Sequence, residues 1–201
     1  MLNVEKYGDF KVLGKHKKKS KIILCHTSRE VGEYLTSLKV RYNGKFDKIP
    51  HYVITKEGKI LHLLTDMGYS NYFADEVLNK TSVIISLENL GWLEKKPLSN
   101  YYINWKGSIY NQQVYEKKWR DFFFWEPYTP SQQQAAAGLC LQIAEALQIE
   151  KRFIGHNVKV EGIKNFDGIL TKSNIDSKYT DLNPSFDFSA FTKHIENEQY
   201  A

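Results

Sequence analysis

The sequence predicts an α/β fold, a central mixed β-sheet flanked by helices, and three observations carry that expectation. Short apolar runs rich in β-branched residues alternate with stretches of helical period. Two segments open with helix-capping signals. No internal repeat, low-complexity segment or linker interrupts the 201 residues, so one domain is expected over 1–201, with its core over about 20–196.

Taken in chain order, Lys21-Ile-Ile-Leu-Cys25 reads as a buried strand ending at His26. Thr27-Ser-Arg-Glu30 has the spacing of a capping box. A helix of about four turns should follow, with Val31, Tyr34, Leu35, Leu38 and Tyr42 on one face, stopped by Asn43-Gly44. His51 to Thr55 and Lys59 to Leu64 flank Gly58 and read as a β-hairpin. Thr81 to Leu87 reads as another strand. Asn100 to Trp125 is aromatic and lacks a clean period, an excursion with short strands. Thr129-Pro-Ser-Gln132 opens a second helix with Pro at its first position, and the Ala- and Leu-rich run to Leu147 continues it. Lys151 to Gly155 reads as a strand leading into His156, residues 157–180 as a polar loop, and Phe188 to Glu196 as a last helix.

The formal charge is +5, much of it in Lys15-His16-Lys17-Lys18-Lys19. Such a run is a solvated loop or an attraction to a polyanion such as an anionic cell wall. No nucleic-acid motif accompanies it, so no specific nucleic-acid partner is expected. Cys25 and Cys140 read as buried free thiols. The first ten residues lack a signal-peptide apolar stretch, and no apolar run approaches the roughly 20 residues that span a bilayer. The expectation is a monomer made in the cytoplasm, with no membrane span.

Two histidines end apolar strands, His26 and His156, and strand C-terminal ends open onto a common crevice in such folds. Asp181 lies in the turn-rich Thr180-Asp-Leu-Asn-Pro184. Two histidines and a carboxylate leave a fourth tetrahedral position for water, the pattern of catalytic zinc. Asp167 and Asp176 are rival third ligands. His62 reads as structural, and His16 and His194 as solvated.

Six local motifs carry a resemblance. They are Ile22-Ile-Leu-Cys-His-Thr27, His51-Tyr-Val-Ile-Thr-Lys-Glu-Gly58, Asn79 to Gly91, Tyr128-Thr-Pro-Ser-Gln132, Phe153-Ile-Gly-His156 and Asp181-Leu-Asn-Pro-Ser-Phe-Asp187. In this order they resemble the zinc-dependent N-acetylmuramoyl-L-alanine amidases, a superfamily that includes amidase-type phage lysins and peptidoglycan recognition proteins. The resemblance implies Zn²⁺ held by His26, His156 and Asp181. It implies a peptidoglycan substrate cut at the amide between N-acetylmuramic acid and L-alanine. Glu88 is the candidate acid/base, although family members often carry the catalytic carboxylate where this chain has Ser86. A family lysine that steadies the oxyanion falls at Tyr179, with Lys178 as its neighbour. His51, Ser86 and Asn89 are expected to contact substrate. Trp105 and the aromatics Tyr110, Tyr115, Trp119, Phe122 to Phe124 and Trp125 either wall the cleft or form a satellite core. The residue changes at Ser86 and Tyr179 favour a rival reading, a peptidoglycan-binding module of the same fold without catalysis.

Overall fold

The computed structural model describes residues 2–98 and 101–197. In chain order the strands begin with β1 (Val4–Lys6), β2 (Gly14–Lys15), β3 (Lys21–His26), β4 (Tyr52–Ile54), β5 (Ile60–His62), β6 (Gly68–Tyr69) and β7 (Ser82–Leu87). They continue with β8 (Trp92–Lys95), β9 (Tyr102–Asn104), β10 (Ile109–Tyr110), β11 (Tyr115–Trp119), β12 (Phe122–Trp125) and β13 (Gly168–Thr171). The helices are α1 (Val31–Val40), α2 (Glu76–Thr81), α3 (Pro130–Leu147), α4 (Lys172–Ile175) and α5 (Phe188–Asn197).

The central sheet has the order β1-β5-β4-β7-β3-β13, with β4, β7, β3 and β13 parallel and the β4–β5 hairpin antiparallel. β3 and β7 are buried along their whole length, as expected of parallel strands covered on both faces. Ile22, Leu24, Val83, Ile85 and Leu87 face α3 and α5. Ile23, Cys25, Ile84 and Leu170 pack on the opposite face with Phe73 and Leu78. Val53 and Leu61, on the same side, meet Tyr34, Leu35 and Leu38 of α1. The aromatic excursion joins β8 in an antiparallel second sheet, β10-β9-β8-β12-β11, where Leu93 and Tyr110 form a small core with Leu90. Among the described residues no helix is long and apolar enough to cross a membrane.

Most expected elements form close to their expected bounds, and three differ. α1 ends at Val40 because Tyr42 and Asn43 take left-handed conformations; Tyr42 lies exposed instead of on the buried face. Its N-terminus is not closed by a Thr27–Glu30 box: Glu30 is the N-cap without a side-chain hydrogen bond, and the Val31 N–H is taken by Glu88. The Lys151–Gly155 strand shrinks to a single bridge between Phe153 and Ile169. The sheet position beside β3 goes to β13, inside the segment expected to be loop. The lysine run is also anchored at its end, since buried Lys19 donates to the carbonyls of Gly68 (2.6 Å) and Ser82 (3.0 Å). Burial lowers its pKa to about 8.

Candidate functional site

The site is built at the C-terminal ends of β3 and β13. These strands are in parallel register, Thr171 opposite Leu24. β3 runs on to His26, and β13 gives way to α4 at Lys172. The chain then loops back to Asp181, fixed by Ser173, whose N–H donates to the Asp181 carbonyl (2.8 Å) and whose hydroxyl donates to the Tyr179 carbonyl (2.9 Å). Asp181 Oδ1 accepts from the His26 backbone N–H at 2.7 Å and lies 3.3 Å from His26 Nε2. Asp181 Oδ2 lies 3.7 Å from Lys172 Nζ. His26 and Asp181 are buried and Lys172 is largely so. Burial disfavours the Lys172 ammonium, but Asp181 beside it prevails and holds the pKa above the ordinary lysine value. Burial pushes the His26 pKa down while Asp181 pulls it up, and the fall prevails.

The surroundings lock this group. Tyr179 and Tyr72 set their rings 4.4 and 5.7 Å from Lys172 Nζ, within cation–π range. Gly91, at φ +82°, lets the backbone pass against the His26 ring; a Cβ there would fall 2.7 Å from Cε1. His26 Nδ1 is buried and has no protein hydrogen-bond partner. Beneath it Cys25 Sγ, Tyr72 Oη and Ser86 Oγ form a closed triangle with sides of 3.1, 3.1 and 3.2 Å.

Of the expected zinc ligands, the structure brings His26 and Asp181 together and leaves His156 out. Without a strand to carry it, His156 follows Gly155 (φ +80°) onto an exposed turn. There its Nδ1 accepts from the Val158 N–H at 3.2 Å, and its carbonyl accepts from Asn174 Nδ2 at 2.9 Å. The rivals are placed elsewhere too: Asp167 accepts from the Glu150 N–H and Asp176 from the Lys178 N–H. Among the described residues no three His, Cys, Asp or Glu side chains are grouped to hold a metal ion. The donor chemistry therefore does not fit zinc: two donors stand together, and beside them stands an ammonium, which has no lone pair to give.

The other expected site residues divide between structure and crevice. Glu88 is buried with both oxygens committed, one accepting from the Val31 N–H (2.7 Å), the other from the Lys56 N–H (3.0 Å). It caps α1 and fastens the hairpin, and it does not line the crevice over His26. Its pKa is raised, chiefly by burial, against these two hydrogen bonds. His51, Ser86 and Asn89, expected to contact substrate, are fully buried and do not line the crevice. His51 accepts from the Ile84 N–H and its other ring nitrogen meets the Gly68 carbonyl, both at 3.0 Å. Burial drops its pKa to about 3. Asn89 donates to the Glu126 carbonyl and accepts from Asn183, joining the second sheet to the Asp181 loop. Lys178 points away, exposed and paired with Asp176 at 3.0 Å. Tyr179 stays at the site as the ring against Lys172.

Trp105 is brought to the site. A crevice of about 460 Å³ opens over His26, walled by Ser28, Arg29, Arg41, Leu90, Trp92, Trp105 and Thr180. Trp105 Nε1 donates to the Ser28 carbonyl at 2.6 Å, and the Arg29 guanidinium lies 4.8 Å from its ring. The other expected aromatics are split. Trp125 and Tyr110 are buried; Trp119 packs on Trp125, and Tyr115 and Phe123 lie exposed on the second sheet. Lys172, Arg29 and Arg41 also stand at the site, and the sequence alone does not mark them. Lys172 follows Thr171 directly after Ile169-Leu170, an apolar pair too short to read as a strand.

The sequence profile of the N-acetylmuramoyl-L-alanine amidases matches residues 16–168, which include His26 and stop short of Lys172 and Asp181. No curated protein sequence matches the chain. Among solved structures, the amidase AmiD from E. coli, in complex with the substrate anhydro-N-acetylmuramic acid-L-Ala-D-gamma-Glu-L-Lys, is 17% identical with a TM-score of 0.56. That match covers 92% of this chain and 60% of AmiD. The Staphylococcus aureus hydrolase AmiA, in complex with its ligand, is 11% identical with a TM-score of 0.58, over 98% of this chain and 82% of that one. The amidase LysC from Clostridium intestinale is 11% identical with a TM-score of 0.54, over 100% of this chain and 99% of that one. At these identities the likeness is one of fold, and the chain spans 60% of the length of AmiD.

Proposed function

This chain belongs to the N-acetylmuramoyl-L-alanine amidase family, and we propose that it uses the crevice over His26 to bind the muropeptide portion of peptidoglycan without hydrolysing it. The observation that carries the reading lies at His26, which lines the crevice: an ammonium stands beside its buried pair with Asp181. Zinc-dependent hydrolysis, which the family resemblance implies, needs a third donor there, and Glu88 is already spent on two backbone N–H groups. The walls suit the ligand. Trp92 and Trp105 offer flat faces to a sugar ring, and Arg29 and Arg41 offer fork-shaped donors to lactyl and stem-peptide carbonyl or carboxylate oxygens. The AmiD complex names a fitting probe, anhydro-N-acetylmuramic acid carrying L-Ala-D-gamma-Glu-L-Lys.

The test is calorimetric titration of that probe, run beside an amine-release assay on purified peptidoglycan with added zinc. Saturable binding with no new L-alanine amines is the expected result. Amine release that a chelator stops would make the chain a metal hydrolase, and absence of binding to either probe or polymer would end the reading altogether. A lytic role in phage release would require the first of these contrary results.

A further inference from the structure

The register of β13 determines what stands next to His26. Thr171 pairs with Leu24, so the chain leaves the sheet at Lys172 just as β3 arrives at His26. The residue that this strand end delivers beside His26 and Asp181 is a lysine, not a metal donor. Its Nζ lies 3.7 Å from Asp181 Oδ2, while Asp181 Oδ1 reaches His26 Nε2 at 3.3 Å, so one carboxylate bridges the imidazole and the ammonium. The rings of Tyr179 and Tyr72 lie against the same Nζ.

We propose that the Lys172 ammonium is the resident cation of this site, occupying the corner a third zinc donor would need, so that the chain takes up no zinc there. A carboxylate at low exposure requires a positive partner, and Lys172 supplies it from within the chain. A dication sharing Asp181 would face the ammonium at close range in a poorly solvated place, where like charges repel strongly. His156 stands apart on the exposed turn, its Nδ1 accepting from the Val158 N–H at 3.2 Å and lying 3.4 Å from Asn174 Nδ2, and it is not grouped with His26 and Asp181. The inference concerns the chain's own side chains and holds whichever ligand enters the crevice.

The test reads metal content and thermal unfolding with no peptidoglycan present, so its outcome is separate from that of the binding experiment. Wild-type protein, stripped with chelator and dialysed against zinc, is expected to retain no stoichiometric zinc and to melt at the same temperature with zinc or EDTA. Lys172→His places an imidazole at the strand end. It is expected to take up one zinc per chain and to melt roughly 5–10 °C higher when zinc is about 100-fold above its dissociation constant. EDTA should reverse the gain and a second change, His26→Ala, should abolish it. One zinc per wild-type chain that His26→Ala removes would overturn the proposal, as would a folded Lys172→His protein that binds none. If Lys172→His fails to fold, the wild-type zinc measurement decides alone.

Discussion

β3 has a parallel neighbour on each side, and the two differ in kind. β7 is six residues long, wholly buried, and paired with β3 along its full length. β13 is four residues long, enters from a glycine at φ +132° and leaves at once into α4. The longer neighbour makes a wall: its polar members Ser86 and the following Glu88 are spent on internal hydrogen bonds. The shorter one delivers the charged group of the site. In this molecule the strong strand pair fixes where the crevice lies, and the weak pair fixes what chemistry it holds.

Gly168→Ala strikes the β13 side directly. A Cβ there would sit 2.5 Å from the Arg152 carbonyl oxygen on a backbone conformation that suits glycine. The expected cost is about 3 kcal/mol in denaturant unfolding, with loss of muropeptide binding as Lys172 and Asp181 shift. Unchanged stability would show that β13 tolerates displacement.

The β7 side is tested by acid. His51 is neutral in the fold, with its pKa lowered from 6.5 to about 3 by burial, and only the unfolded chain takes the proton readily. Its contribution is therefore complete above pH 6.5 and declines as pH falls toward 3, by about 1.4 kcal/mol per unit. Urea midpoints measured from pH 7 to pH 5 should drop accordingly, and His51→Gln should flatten the slope. An equal slope in both proteins would remove His51 as the cause.

Glu88→Gln comes next. It keeps the size of the side chain but replaces one accepting oxygen by an NH2 donor, so one of the two backbone hydrogen bonds is lost, at an expected cost of about 2 kcal/mol. Muropeptide affinity should hold; a large loss of affinity with stability intact would return Glu88 to the crevice. The smallest effect on folding is expected for Trp105→Ala, on the partly exposed rim. There the unfolding midpoint should stay put while affinity for the muropeptide probe falls about tenfold.

The same contrast explains what the sequence made legible. Lys21–His26, the hairpin, Ser82–Leu87, the long helix and the last helix all declare themselves through long apolar periods or capping residues, and they form. Thr129 caps α3 through Gln132 N–H as its spacing implied. The β13 strand offers only Ile169 and Leu170 between a glycine and polar residues, too short a signal to outweigh Phe153-Ile-Gly-His156, which has the look of a strand ending in a ligand. Pairing with β3, a tertiary contact, selects the former. Likewise Glu88 closes α1 from 57 positions away in the chain, a partnership that local spacing cannot reveal.

The triangle of Cys25, Tyr72 and Ser86 has a practical consequence. Burial lifts the Cys25 thiol to about 11, and Cys140 is raised further by burial alone. Both sulfurs are sealed from solvent, so neither forms much thiolate at neutral pH. A single cysteine introduced on the crevice wall, at Ser28, would then be the one thiol open to maleimide chemistry. A fluorophore attached there would report occupancy of the crevice without any need to remove the native cysteines.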